Sequence, residues 1–160
     1  MIDLANTLII GYGNPGRLDD GLGPALAEAM KEANISEVTV DSDYQLTVED
    51  AVLLSGHNVV IFADADISGP EPFHFTKLTP VYETSFSRHS VRPEALLGLA
   101  QRLFKTTIQG YVLGIRGYEF DDFGENISPK AKKNLEAAIE FIKERIKNRD
   151  FSEKSIDPEN

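Results

Sequence analysis

With 160 residues, 41% of them hydrophobic, the chain fits one domain of ordinary size and can build a real core. Its 26 Asp and Glu against 16 Lys and Arg give a net charge of −10, which repels phosphate backbones and sets nucleic acid aside as a partner. It has no cysteine, so a disulfide scaffold is excluded, a reducing cytoplasm is the expected setting, and any metal site must use oxygen and nitrogen ligands.

The opening Met1-Ile2-Asp3-Leu4 has no basic region followed by a long apolar run, so no signal peptide is expected. No apolar stretch approaches the ~18–20 residues that span a bilayer, and no membrane insertion is expected. Thr7 to Tyr12 reads as a buried strand closed by glycines. From about Leu22 the pattern turns helical, with Leu22, Ala25, Leu26, Ala29, Met30 and Ala33 on one face and Pro24 in the first turn. Glu37 to Val40 is a short second strand ending at Asp41. Thr47-Val48-Glu49-Asp50 resembles a capping box with Asp in the usual Glu position; a helix to about Ser55 follows, with Gly56 at C′.

Asn58 to Ala63 is a continuous apolar strand of the kind buried on both faces of a parallel sheet. Gly69-Pro70-Glu71-Pro72 is a loop, and the alternating Phe73 to Leu78 is an edge strand. Pro93 opens a helix with Leu96, Leu99, Ala100 and Leu103 inward, and Gln109 to Ile115 is the next strand. Ser128-Pro129 is a cap followed by Pro at N1, and the long last helix turns Leu135, Ala138, Ile139, Ile142 and Ile146 to the core. The order implies a three-layer α/β sandwich, a largely parallel twisted sheet flanked by helices. Residues 1–148 form the single domain, and residues 149–160 are expected to be a polar, flexible tail.

Gly11-Tyr12-Gly13-Asn14-Pro15-Gly16 matches G-x-G-x-x-G between a strand and a helix, and Asp41 stands where a ribose-binding acid would. A dinucleotide site is nevertheless disfavoured. Asp19 and Asp20 lie where the pyrophosphate would rest, and two like charges about 4 Å apart repel by roughly 4 kcal/mol at an effective dielectric near 20. The helix N-terminus offsets only ~0.3–1 kcal/mol per charge. The loop is therefore better suited to a cation. One of the two acids suffices for helix capping, which leaves a spare carboxylate.

In an open α/β sheet, ligands bind beyond the carboxyl ends of the strands, at the switch in strand order. Asp20 follows the first strand and Asp64 the third, so in the common doubly wound order both reach one crevice. His89, ahead of the Pro93 helix, could reach the same edge. Two carboxylates and an imidazole suit a borderline divalent metal such as nickel or zinc. His57 and His74 read as structural histidines, Asp66 as a turn residue, and Asp121 and Asp122 as a solvated loop.

These residues resemble the hydrogenase maturation endopeptidases. Gly11-Tyr12-Gly13-Asn14 followed by Asp19-Asp20-Gly21-Leu22-Gly23 is similar to the family signature G-x-G-N-x-x-x-x-D-D/E-G-x-G. Ile61-Phe62-Ala63-Asp64-Ala65 resembles its second acidic motif, and His89 with Pro93-Glu94-Ala95-Leu96-Leu97 the segment carrying its histidine. The resemblance runs from about Leu8 to Phe104. It departs at Asp41-Ser42-Asp43-Tyr44-Gln45-Leu46, where many members have a D-G-G-T-type loop, and this leaves the client hydrogenase open.

The resemblance implies that Asp20, Asp64 and His89 are the catalytic and metal-ligating residues. It implies a protease that removes a C-terminal extension from a nickel–iron hydrogenase large-subunit precursor after nickel insertion, the nickel being recognised in the substrate. Either the metal polarises the scissile carbonyl or a bound water, or a carboxylate (Asp19 or Asp20) acts as general base. A monomer is expected. The rival readings are a catalytically silent nickel checkpoint and a Rossmann-like dinucleotide domain.

Overall fold

Strands that are apolar along their whole length need cover on both faces, and the helices of this chain supply it. The computed structural model describes residues 6–86 and 91–151. β1 (Thr7–Tyr12) leads through a 3-10 turn at Leu18–Gly21 into α1 (Leu22–Ala33) and β2 (Val38–Asp43). There follow α2 (Asp50–Ser55), β3 (Val59–Asp66), β4 (Phe73–Lys77), α3 (Pro93–Phe104), β5 (Gln109–Arg116) and α4 (Pro129–Asn148). The sheet order is β2-β1-β3-β5-β4, parallel except for the antiparallel edge strand β4.

The strands divide their side chains by the period of two. Ile9, Ile61, Ala63, Leu113 and Ile115 face α1 and α4, where they pack with Leu22, Leu26, Met30, Ala138 and Ile142. Leu8, Ile10, Val60 and Phe62 face the other way, against Ala51, Leu54, Leu96 and Ala100 of α2 and α3. These two buried layers are the three-layer sandwich that the element order implies. No helix among the described residues is long and apolar enough to cross a membrane.

Several local expectations change. β2 continues through Ser42 and Asp43, because each residue to Asp43 still pairs with β1. β3 continues past Ala63 to Asp66, paired with β5 as far as Arg116, so Asp64 lies inside the strand rather than after it. On α3, Leu97 is fully buried, and Leu103, in the last turn, is 60% exposed. Thr47 and Asp50 make half of the expected box: the Thr47 N–H donates to the Asp50 carboxylate at 2.9 Å, but the helix itself begins only at Asp50. Phe151, in the segment expected to be a loose tail, is buried against Tyr111 with ring centroids 5.8 Å apart; residues 152–160 lie outside the described residues.

Gly11 and Gly23 set how closely α1 approaches the sheet. A methyl group on Gly23 would collide with the backbone of Tyr12 and Ala63, and one on Gly11 with the Gly23 carbonyl. Backbone cannot rotate aside as a side chain can. Gly23→Ala is therefore expected to lower stability by roughly 1–3 kcal/mol, the range for overpacking, read as a reduced urea midpoint at unchanged m-value.

Candidate active site

The chain moves from β1 to one side to form β2, then returns across β1 to place β3 on the other side. The switch point thus lies between the carboxyl ends of β1 and β3. Asp64, in the last part of β3, and Asp20, in the 3-10 turn after β1, both stand there. A separate cleft of about 590 Å³ runs along α1 and the end of β2, lined by Pro15, Gly21, Pro24, Glu28, Asp41 and Glu125 among others; neither Asp20 nor Asp64 lines it.

Strand parity explains the surroundings of Asp64. Leu8, Ile10 and Tyr12 share one face of β1, and Val60, Phe62 and Asp64 share the same face of β3. The Tyr12 hydroxyl, at the end of this row, donates a hydrogen bond to the half-buried Asp64 carboxylate. The Ala65 N–H donates a second, at 2.8 Å. Burial raises the proton affinity of Asp64, the charges of Asp20 and Asp66 raise it further, and the Ala65 and Tyr12 donors oppose; the carboxyl is left with a pKa of about 7. The Tyr12 phenol is pushed far above its ordinary value by burial and then by Asp64, with Glu94 at the start of α3 adding to it. The site is thus an anionic crevice held by neutral donors, an arrangement that favours a proton or a cation.

The neighbouring acids, Asp19 and Asp20, divide their work. Asp19 is fully buried. Its carboxylate accepts the Ser128 N–H at 2.7 Å, the Ser128 hydroxyl at 2.7 Å, the Tyr118 N–H at 2.8 Å and the Glu119 N–H at 3.0 Å. Burial alone would raise its pKa, but the Ser128, Tyr118 and Glu119 donors overcome this and hold it below the ordinary value. With its acceptor positions filled, Asp19 is a structural anchor and not a general base. The half-buried carboxylate of Asp20 accepts the Asn14 N–H at 2.8 Å. Neither acid caps a helix through its side chain; Gly21 occupies the N-cap of α1. The expectation of capping is corrected on this point; of the two acids, Asp20 keeps the less committed carboxylate.

The glycine loop is likewise self-satisfied. The Asn14 N–H is taken by Asp20, and the Gly16 N–H by the Asn14 side-chain oxygen at 2.9 Å. Two of the amides that would cradle a pyrophosphate therefore already have acceptors, one of them anionic.

His57 Nδ1 is 2.9 Å from the Leu53 carbonyl, as a structural histidine. His74 is less ordinary. On β4 it is in register with Gly114, itself paired with Asp64, and its ring fills the space a Gly114 side chain would take. His74 Nε2 lies 3.1 Å from Asp66, whose other oxygen accepts the Ser68 and Gly69 N–H groups of the expected turn. Parity counting reaches both: Tyr12 lies two positions from Ile10 on the Asp64 face, and His74 alternates with Phe73 and Phe75, which face the other way.

His89, the third residue of the expected triplet, lies outside the described residues. Among the described residues no group of three or more His, Cys, Asp or Glu side chains could hold a metal ion. Two carboxylates supply oxygen ligands only and are too few to retain a divalent ion tightly.

No family model matches the sequence, and no curated protein does. The fold has counterparts among solved structures. The NiFe hydrogenase maturation protease HycI from Thermococcus kodakarensis aligns with a TM-score of 0.70 at 22% identity, over 90% of this chain and 94% of its own. The hydrogenase 2 maturation peptidase from a Thaumarchaeota archaeon gives 0.65 at 20% identity, over 89% and 98%. The hydrogenase maturating endopeptidase HybD from E. coli gives 0.64 at 17%, over 90% and 93%. The sheet, its flanking helices and the crevice between β1 and β3 are thus built on the fold of the hydrogenase maturation proteases.

Proposed function

We propose that this protein is an endopeptidase that removes a C-terminal extension from a nickel–iron hydrogenase large-subunit precursor once nickel is in place. The observation that carries the proposal is the pairing of Asp20 and Asp64 at the switch point of a fold shared with solved maturation proteases. The metal belongs to the substrate. Asp20 and His89 would engage it from the crevice, leaving Asp64 beside them free to act as the base, so that only a loaded precursor seats its scissile peptide there. The lack of cysteine fits work in the cytoplasm.

The chemistry at Asp64 follows from its proton affinity. A base poised near pH 7 can take a proton from water and return it without a large driving-force penalty. Water attacks the scissile carbonyl carbon while its proton passes to Asp64. The C–N bond then breaks, and the proton goes to the departing amine. The Tyr12 hydroxyl holds the carboxylate in place and limits how far its pKa climbs.

Asp64 works in its ionised form, so the rate is expected to rise with pH through about 7. Tyr12→Phe removes a donor that favours the ionised form. Its rate–pH profile should move to higher pH, with the plateau rate less affected than the rate at pH 6. A profile identical to the wild type would remove Tyr12 from this role.

The deciding experiment mixes the protein with nickel-loaded and nickel-free large-subunit precursors and follows their intact mass. Loss of a C-terminal peptide from the loaded form alone is the expected result. Binding of the loaded form without any loss of mass would replace the protease by a silent checkpoint.

A further inference from the structure

Among the described residues, three of the large apolar side chains left in water stand around one rim. Tyr44 is 68% exposed, Ile67 69% and Phe123 83%. They lie in the loops that follow β2, β3 and β5. Those strands run parallel with β1, so the three loops leave the sheet at the edge that carries Asp20 and Asp64.

Backbone bonds tie these loops to the site. The Gly13 N–H donates to the Asp43 carbonyl, next to Tyr44. The Leu18 N–H donates to the Gly124 carbonyl, next to Phe123, and the Gly124 N–H donates to the Gly16 carbonyl. Ile67 directly follows Asp66, whose charge Asp64 feels. A single exposed apolar residue needs no explanation, but aromatic and aliphatic anchors set around a concave site are what protein interfaces use.

Charge says what kind of surface fits. Asp43, at the end of β2, and Glu119, Asp121, Asp122 and Glu125, on the loop after β5, are all exposed. Among the described residues, Arg17 and Lys130 are exposed cations close by: Arg17 donates its guanidinium to the Phe120 carbonyl, and Lys130 pairs with Glu71 at 3.0 Å. An acidic collar around apolar anchors complements a basic face with apolar sockets. The anchors sit on three separate loops, an arrangement made for the body of a folded protein more than for a single extended peptide.

We infer that Tyr44, Ile67 and Phe123 dock the folded body of the precursor through a basic, apolar-socketed face. The identity of that partner rests on the endopeptidase reading. Leu103 and Phe104 are also exposed, but they end α3 just before β5 and so lie at the opposite edge of the sheet. They provide an internal control.

Binding to immobilised nickel-loaded precursor tests this, with Asp64→Asn as the non-cutting parent. Tyr44→Ser, Ile67→Ser and Phe123→Ser together should weaken binding about tenfold or more, as loss of central anchors does. Leu103→Ser with Phe104→Ser should leave it unchanged. Raising salt from about 50 to about 500 mM should weaken the parent's binding, since the collar is screened. Unchanged melting temperatures would show that the rim variants are folded. A triple variant that binds as the parent does overturns the docking surface, as does a parent that fails to bind. Cleavage by the wild type is scored separately. A precursor that binds through the rim but is never cut overturns the endopeptidase and leaves the docking surface standing. A precursor that is cut while the triple variant binds normally does the reverse.

Discussion

Asp64→Asn is expected to abolish precursor processing and, above pH 7, to make the protein more stable. Both effects have one cause. Asp64 is half-buried beside Asp20 and Asp66, and its carboxyl pKa is raised to about 7. Between about pH 4 and about pH 7 the unfolded chain releases this proton and the folded chain keeps it. The folded-state pKa is the higher one, so any stability tied to this group is fully present below about pH 4 and is lost as pH rises through about 7. Asn has the same shape and can still accept from Ala65 and Tyr12, but it carries no charge to bury.

The variant should therefore gain roughly 2–4 kcal/mol over the wild type at pH 8, and nothing at pH 3.5. Urea titrations at the two pH values measure this, and intact mass measures processing. A variant that cleaves normally would remove Asp64 from the site. A variant with no gain at pH 8 would show that Asp64 is better solvated than its burial implies.

Patterns confined to one element were legible in the sequence, while those that depend on distant partners were not. The apolar runs of β1 and β3 announce strands covered on both faces, and the order of elements places Asp20 and Asp64 at one switch point. The run ending at Ala63 suggests a strand end, since an acid follows it. Pairing with β5 nonetheless carries the strand to Asp66, because β5 keeps offering backbone partners as far as Arg116. Helical spacing includes Leu103 in the inner face of α3, but spacing does not show which turns of a helix are covered. Phe151 stands alone in a polar stretch, and only the position of Tyr111 makes it part of the core.

The two adjacent acids show the same limit at the site. Sequence spacing identifies one acid too many for a helix cap, and the spare is Asp20. It cannot say that Asp19 is committed to Ser128, which lies 109 residues further along the chain. Ser128 before Pro129 looks like a helix cap by every local rule. Its backbone adopts the extended cap conformation, yet its hydroxyl bonds to Asp19 and not to its own helix.

That commitment makes Asp19→Ala the most damaging single truncation expected near the site. Removing the carboxylate leaves the N–H groups of Tyr118, Glu119 and Ser128 and the Ser128 hydroxyl facing a cavity. A buried donor left unsatisfied costs about 1–3 kcal/mol, and partial hydration of the cavity recovers some of the sum, so a loss of roughly 3–5 kcal/mol is expected. Asn in place of Asp19 does little better, because its amide nitrogen points a donor at donors.

The pH dependence has the opposite sign to that of Asp64. The folded-state pKa of Asp19 lies below its unfolded value, so its contribution is fully present above about pH 4 and is lost as pH falls through the folded value. The wild-type advantage over Asp19→Asn should therefore be constant from neutral pH down to about 5 and shrink in stronger acid. Hydrogen exchange gives the local reading. The amides of Tyr118, Glu119 and Ser128 should lose protection in the variant before those of β1 and β3 do. If those three amides keep their protection, another acceptor has replaced Asp19, and the two acids are not divided between structure and chemistry as their bonding indicates.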